Sequence, residues 1–100
     1  MNEMNKWIFP EKIKFEHVSV YMHQFNDESH NSDLIFDLKK TDDIHSSFIG
    51  FLLHAKKQLN LKGGELKIIA SDSIERIFNM MKISDYFNST LIEEFNKKSA

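Results

Sequence analysis

Two serines in tandem, Ser46 and Ser47, follow His45 where a helical pattern begins. A hydroxyl beside an imidazole could serve nucleophilic attack with base assistance. That chemistry lacks its framework, because no Gly-x-Ser-x-Gly elbow surrounds the pair. No Gly-x-x-x-x-Gly-Lys-Ser/Thr loop and no Gly-x-Gly-x-x-Gly run is present either. Gly63-Gly64 therefore reads as a helix stop and not as a phosphate cradle. The chain holds five His, but none is paired as His-x-x-x-His or His-Glu-x-x-His, and His17 and His23 fall on different faces of one helix. Asp42-Asp43 reads as a solvated loop pair ahead of a divalent-cation site. Cys is absent, which removes disulfides, thiolate metal sites and cysteine catalysis. No metal, no cofactor and no catalytic residue is expected.

At about 100° per residue, the helix after Ser46 gathers Phe48, Ile49, Phe51, Leu52, Leu53, Ala55 and Leu59 on one broad arc. Ser46, Ser47, Gly50, His54, Lys57 and Gln58 take the other. Serine is a favoured N-cap, so capping is the first role for Ser46 or Ser47. Gly50 is costlier: glycine inside a helix loses roughly 1 kcal/mol against alanine. Its place on the polar arc suggests close approach by a partner, with packing inside the domain as the alternative. Phe48 serves either as core or as a contact.

The elements that must hold this helix follow from the rest of the pattern. Lys6–Phe9 is a short strand stopped by Pro10. Phe15, Val18, Met22 and Phe25 recur at helical spacing, and the helix ends near Asn26. Asn26–Ser32 is a polar loop. Leu34–Leu38 is a β-prone run and Lys39–His45 a polar connection. The Ser46 helix runs to about Leu61, and Glu65–Ala70 is the next strand. Ser71, or Asp72 with Glu75, caps a third helix with Ile74, Ile77, Phe78 and Met81 inward. Ser84–Phe87 is a connection, and Asn88–Lys98 reads as a last helix with Leu91, Ile92 and Phe95 on its apolar side. Strands alternating with helices give an α/β layer on a mostly parallel sheet, with Leu34–Leu38 and Glu65–Ala70 as parallel neighbours.

One hundred residues, 41% of them hydrophobic, suit a single domain over residues 1–100. Thirteen basic against fifteen acidic residues give a net charge of −2, which argues against a nucleic-acid partner. No basic segment leads into an apolar run, and no stretch is long and apolar enough to span a bilayer. A soluble, cytoplasmic protein without a membrane partner is expected.

The stretch from Leu34 to Phe87 resembles the STAS domain, the fold of bacterial anti-sigma factor antagonists. That family shows a strand ending in Asp-Leu, a short loop, then Asp-Ser-Ser/Thr-Gly-Leu-Gly. A helix, a Gly-Gly turn, a strand and a Ser-capped helix follow. Asp37-Leu38, Ser46-Ser47, Gly50, Gly63-Gly64-Glu65 and Ser71 match in order and spacing. Two positions depart: His45 replaces the acidic residue before the serines, and Phe48 replaces the glycine after them. The N-terminal β-hairpin of the family is shortened to one strand or a very short hairpin.

The resemblance implies a module that binds a serine-kinase anti-sigma factor and frees a sigma factor. It implies that the kinase phosphorylates Ser46 and that a metal-dependent phosphatase reverses this. Asp43, His45, Ser46, Ser47, Phe48, Gly50 and His54 are then the partner-binding residues. The alternative is a STAS scaffold subunit of a transport or signalling complex that is never phosphorylated.

Overall fold

A computed structural model describes residues 5–28, 33–87 and 91–92. The elements run β1 (Asn5–Ile8), β2 (Lys12–Ile13), α1 (Phe15–Asp27), β3 (Leu34–Leu38), β4 (Asp43–Ile44) and α2 (Ser47–Leu61). β5 (Leu66–Ala70), α3 (Asp72–Met80), α4 (Ser84–Phe87) and β6 (Leu91–Ile92) complete them. A four-stranded sheet has the order β1-β3-β5-β6, and all its pairings are parallel. β3 and β5 are neighbours from Leu34↔Leu66 to Leu38↔Ala70, as expected. β2 and β4 form a second, two-stranded parallel pair.

Alternation sends Leu34, Phe36 and Leu38 to one face of β3, all of them buried. Trp7 and Ile68 flank Phe36 in register. α2 lays Phe48, Phe51, Leu52, Ala55 and Leu59 into the core, none of them exposed. Phe51 stacks on Phe36, with centroids 5.6 Å apart and planes 12° from parallel. Phe9 meets Phe36 edge-on at 5.1 Å, and Phe25 of α1 meets Phe51 edge-on at 6.0 Å. Each such buried ring contributes roughly 1.5–3 kcal/mol relative to exposure. Tyr21 packs edge-on against Phe9, and burial pushes its phenol above the usual range.

Three loops are tied by one buried residue. Thr41 donates its hydroxyl to the Pro10 carbonyl at 2.7 Å, and its own carbonyl accepts the Ser71 hydroxyl at 2.6 Å. Ser71 Oγ also accepts the Ile74 amide at 3.1 Å, which makes it the N-cap of α3 as expected. α2 ends in paired bonds from Gly64 N–H to the Leu59 carbonyl and from Gly63 N–H to the Asn60 carbonyl. Gly63 takes φ 87° there, so the glycine stop is real. α3 ends in the same way, with Ile83 N–H to Phe78 and Lys82 N–H to Asn79, but Lys82 is the residue at positive φ, 60°.

Several expectations need correction. β1 and β2 do not pair with each other as a shortened hairpin; each pairs parallel to a later strand. Pro10 between them is drawn to Thr41 instead. The Lys39–His45 connection contains β4, and Ser84–Phe87 is a helical turn. Leu91 and Ile92 belong to β6, in register with Ile68 and Ile69, so the last helix does not include them. An open sheet edge next to β5 outweighs their local helical spacing. Residues 88–90 and 93–98 of that expected helix lie outside the described residues. Met81 lies past the end of α3 and is exposed, as is Phe15 at the start of α1.

Two outcomes are expected in urea denaturation. Lys82→Gly stabilises the fold by about 1 kcal/mol, because a side chain at positive φ is strained and glycine is not. Thr41→Val destabilises it by about 1–3 kcal/mol, because the hydroxyl bond to Pro10 is lost from a buried site.

Candidate functional site

The loop from β3 to α2 carries the tandem serines, and short backbone bonds hold it. The amides of Asp42 and Asp43 both donate to the Glu11 carbonyl, at 2.9 and 3.3 Å. The His45 amide donates to the Ile13 carbonyl at 2.9 Å. The two-residue β2–β4 pair thus clamps the loop against the N-terminal segment. At the loop's root, the buried Asp37 carboxylate accepts the Lys39 amide at 3.0 Å and lies 3.8 Å from both the Lys6 and Lys39 ammonium groups.

Ser46 takes helical dihedrals (φ −58°, ψ −27°) and makes no side-chain capping bond. Its carbonyl accepts the Ile49 amide, and its side chain is exposed. The expectation that Ser46 or Ser47 caps the helix is therefore corrected. His45 does that work: its Nδ1 accepts the Ser47 amide at 3.1 Å and lies 2.8 Å from the Ser47 hydroxyl. Imidazole nitrogen here fills the acceptor role usually given to a hydroxyl or carboxylate oxygen. The two serines are thus unequal, one held by His45 and the other free at the helix tip.

The remaining candidates divide. Asp43, Ser46 and Gly50 are all exposed, and Gly50 lies one helical turn beyond Ser46. A Cβ built on Gly50 would meet nothing within 4 Å, so packing inside the domain does not explain that glycine. Phe48 does not belong with them. It is fully buried, 5.3 Å from Phe9 and 5.7 Å from Phe51, and is not available as a contact. One helical step past the outward-facing Ser47 turns its ring onto the sheet. His54 is half-buried and engaged: its Nε2 donates to Asn26 Oδ1 at 3.1 Å and its ring meets Phe25 edge-on. It joins α1 to α2.

One neighbour escaped the sequence reading. The Phe15 ring is 64% exposed and sits 5.2 Å from the His45 ring. With Val18, Ser19, Met22 and His23 it lines a shallow apolar hollow on α1. Side chains at a helix start lean back past the first turn, which carries Phe15 off the core and over the β2–β4 clamp. Its place on the apolar stripe hid this, while its position at the first residue of α1 was the available signal.

Electrostatically the tip of α2 favours an anion. Its first turn has no acidic residue, and the positive end of the helix dipole lies there, although the Ser47, Phe48 and Ile49 amides are themselves paired. Among the described residues no three His, Asp or Glu side chains converge as a metal site. No described helix is long and apolar enough to cross a membrane.

Gly50→Ala is expected to raise stability by about 1 kcal/mol in urea denaturation, since the added methyl meets open space and helix propensity improves. A loss of stability instead would place Gly50 in a packing contact.

No curated protein matches the chain significantly. Among protein-family models, the STAS domain matches residues 3–97. With that match over nearly all of its length, and with a mostly parallel sheet that places the tandem serines at a helix tip, the chain belongs to the STAS domain family.

Proposed function

We propose that this chain is a partner-switching module of the anti-sigma factor antagonist kind, a cytoplasmic binding protein and not an enzyme. In its unphosphorylated form it binds a serine-kinase anti-sigma factor. Phosphorylation of Ser46 ends the binding, and a metal-dependent serine phosphatase restores it. The observation that supports this reading is the unequal state of the two serines. The Ser46 side chain is exposed and makes no capping bond, while Ser47 is held by His45.

A phosphate on Ser46 brings about −1.5 to −2 charge to a helix N-terminus, where the fold tolerates it. The domain then stays folded and the change is felt at the surface. A partner covering Ser46 and Gly50 must desolvate or repel the phosphate, and Asp43 adds negative charge nearby. A loss of about 3 kcal/mol, roughly two decades in affinity, releases the partner.

A second reading has its own support. Phe48 anchors the residue after the serines in the core, where the family's glycine would leave the loop pliable for a kinase. That favours a STAS scaffold subunit of a transport or signalling complex, with no phosphorylation.

The expected outcome of kinase-binding titrations is tight binding by wild type and Ser46→Ala, and about hundredfold weaker binding by Ser46→Asp. Gly50→Arg folds but does not bind. Equal affinity for wild type, Ser46→Ala and Ser46→Asp, with no phosphate on Ser46 by mass spectrometry, rejects the switch and leaves the scaffold.

A further inference from the structure

Four histidines lie among the described residues, and their ring nitrogens play two opposite roles. His23 Nδ1 faces the Ser19 carbonyl at 3.0 Å, and His54 Nε2 faces Asn26 Oδ1 at 3.1 Å. Both partners only accept, so these ring nitrogens carry hydrogen and donate. His17 and His45 are the reverse. His17 Nδ1 accepts the Lys14 amide at 3.0 Å, and His45 Nδ1 accepts the Ser47 amide at 3.1 Å. A backbone N–H only donates, so each of these nitrogens must keep its lone pair.

Both acceptors stand at helix starts. His17 is the third residue of α1 and reaches back to the amide before that helix. His45 precedes α2 and reaches forward. The two starts are also neighbours: Ile13 and Ile44 are paired in register, the His45 amide bonds the Ile13 carbonyl, and the Phe15 ring lies against His45.

We propose that His17 and His45 form a pair of acid-labile clasps, so that protonation loosens the first turns of α1 and α2 together and makes the Ser46 face responsive to pH. A proton on Nδ1 removes the lone pair that each backbone amide uses; at His45 the new N–H turns to the Ser47 hydroxyl, 2.8 Å away, so the bond passes from the amide to the side chain and the amide is left without an acceptor. Protonation also places a cation at the positive end of a helix. The ionisable groups on the surrounding elements are Glu11 ahead of β2, Lys12 in it, Lys14 and Glu16 at the start of α1, and Asp42 and Asp43 on the loop. None of these side chains hydrogen-bonds either ring; Asp42 is drawn toward Lys12 at 4.0 Å. The Phe15 ring, 5.2 Å away and tilted by 59°, is within cation–π range of His45, but that contact does not restore the acceptor that the Ser47 amide loses. His23 and His54 keep their bonds when protonated, since each already donates. They are internal controls in the same molecule.

The inference stands whether or not Ser46 accepts a phosphate. Its test is amide hydrogen exchange by NMR on the whole chain at pH 7.5 and pH 5.0, corrected for intrinsic exchange and referenced to the Phe36 amide in β3. The Lys14 and Ser47 amides are expected to lose about tenfold in protection at the lower pH, the scale of one lost cap, while Phe36 holds. In His17→Glu/His45→Asp the carboxylates stay largely ionised at pH 5, so protection is expected to persist. In His23→Gln/His54→Gln the loss is expected to remain. Unchanged protection of Lys14 and Ser47 in wild type overturns the proposal. So does an equal loss in His17→Glu/His45→Asp, or a loss shared by Phe36, which would be global unfolding.

Discussion

Thr41 is the small buried residue on which the arrangement of the site depends. Chain ends of β1, β3 and β5 all arrive at one rim of the sheet, and each must turn there. Thr41 satisfies two of those turns at once, giving a hydrogen to Pro10 and taking one from Ser71. Backbone polar groups buried at such a rim are costly unless paired. One hydroxyl and one carbonyl thereby fix three crossings. Ser46 follows Thr41 by five residues on the same loop and inherits its position. The aromatic core below it, with Phe36 stacked on Phe51, then sets the angle at which α2 leaves the loop.

The site works by division of labour between neighbours. In the family's pattern an acidic residue precedes the serines and a glycine follows them. Here His45 supplies the acceptor for the helix start, and Phe48 supplies an anchor in the core. Both residues give the start of α2 properties that the family's acidic residue and glycine would not. The imidazole offers the Ser47 amide one nitrogen lone pair where a carboxylate would offer two oxygens. The buried ring makes the start of α2 stiffer than a glycine would.

What could be read from the residues alone was whatever is decided locally. β3 and β5, the Gly63 stop and the Ser71 cap rest on short-range pattern and turn chemistry, and they stand where the pattern put them. The polar arc around Gly50 was visible from helical geometry. The features that escaped depend on distant partners. Leu91 and Ile92 have helical neighbours in sequence but an open β5 edge in space. β2 and β4 are two residues each, too short to show a period, and exist because they meet. Phe48 could be assigned to either role until Phe9 and Phe51 were seen around it. His45 as a cap is invisible to a rule that looks for oxygen.

Every strand pairing among the described residues is parallel, and this governs how the chain reaches its fold. Paired residues are at least 23 positions apart, the nearest being Ile68 with Leu91. No turn brings two strands together cheaply, so no piece of sheet is available as a local nucleus. Loop closure must be completed before any ladder bond rewards it. Helices and apolar collapse therefore lead, and the sheet assembles late in the reaction. During synthesis β1 waits, unpaired, until β3 has emerged. The clamp of β2 on β4 joins segments 31 positions apart, so the tether of the loop that bears the serines forms with the sheet and not ahead of it.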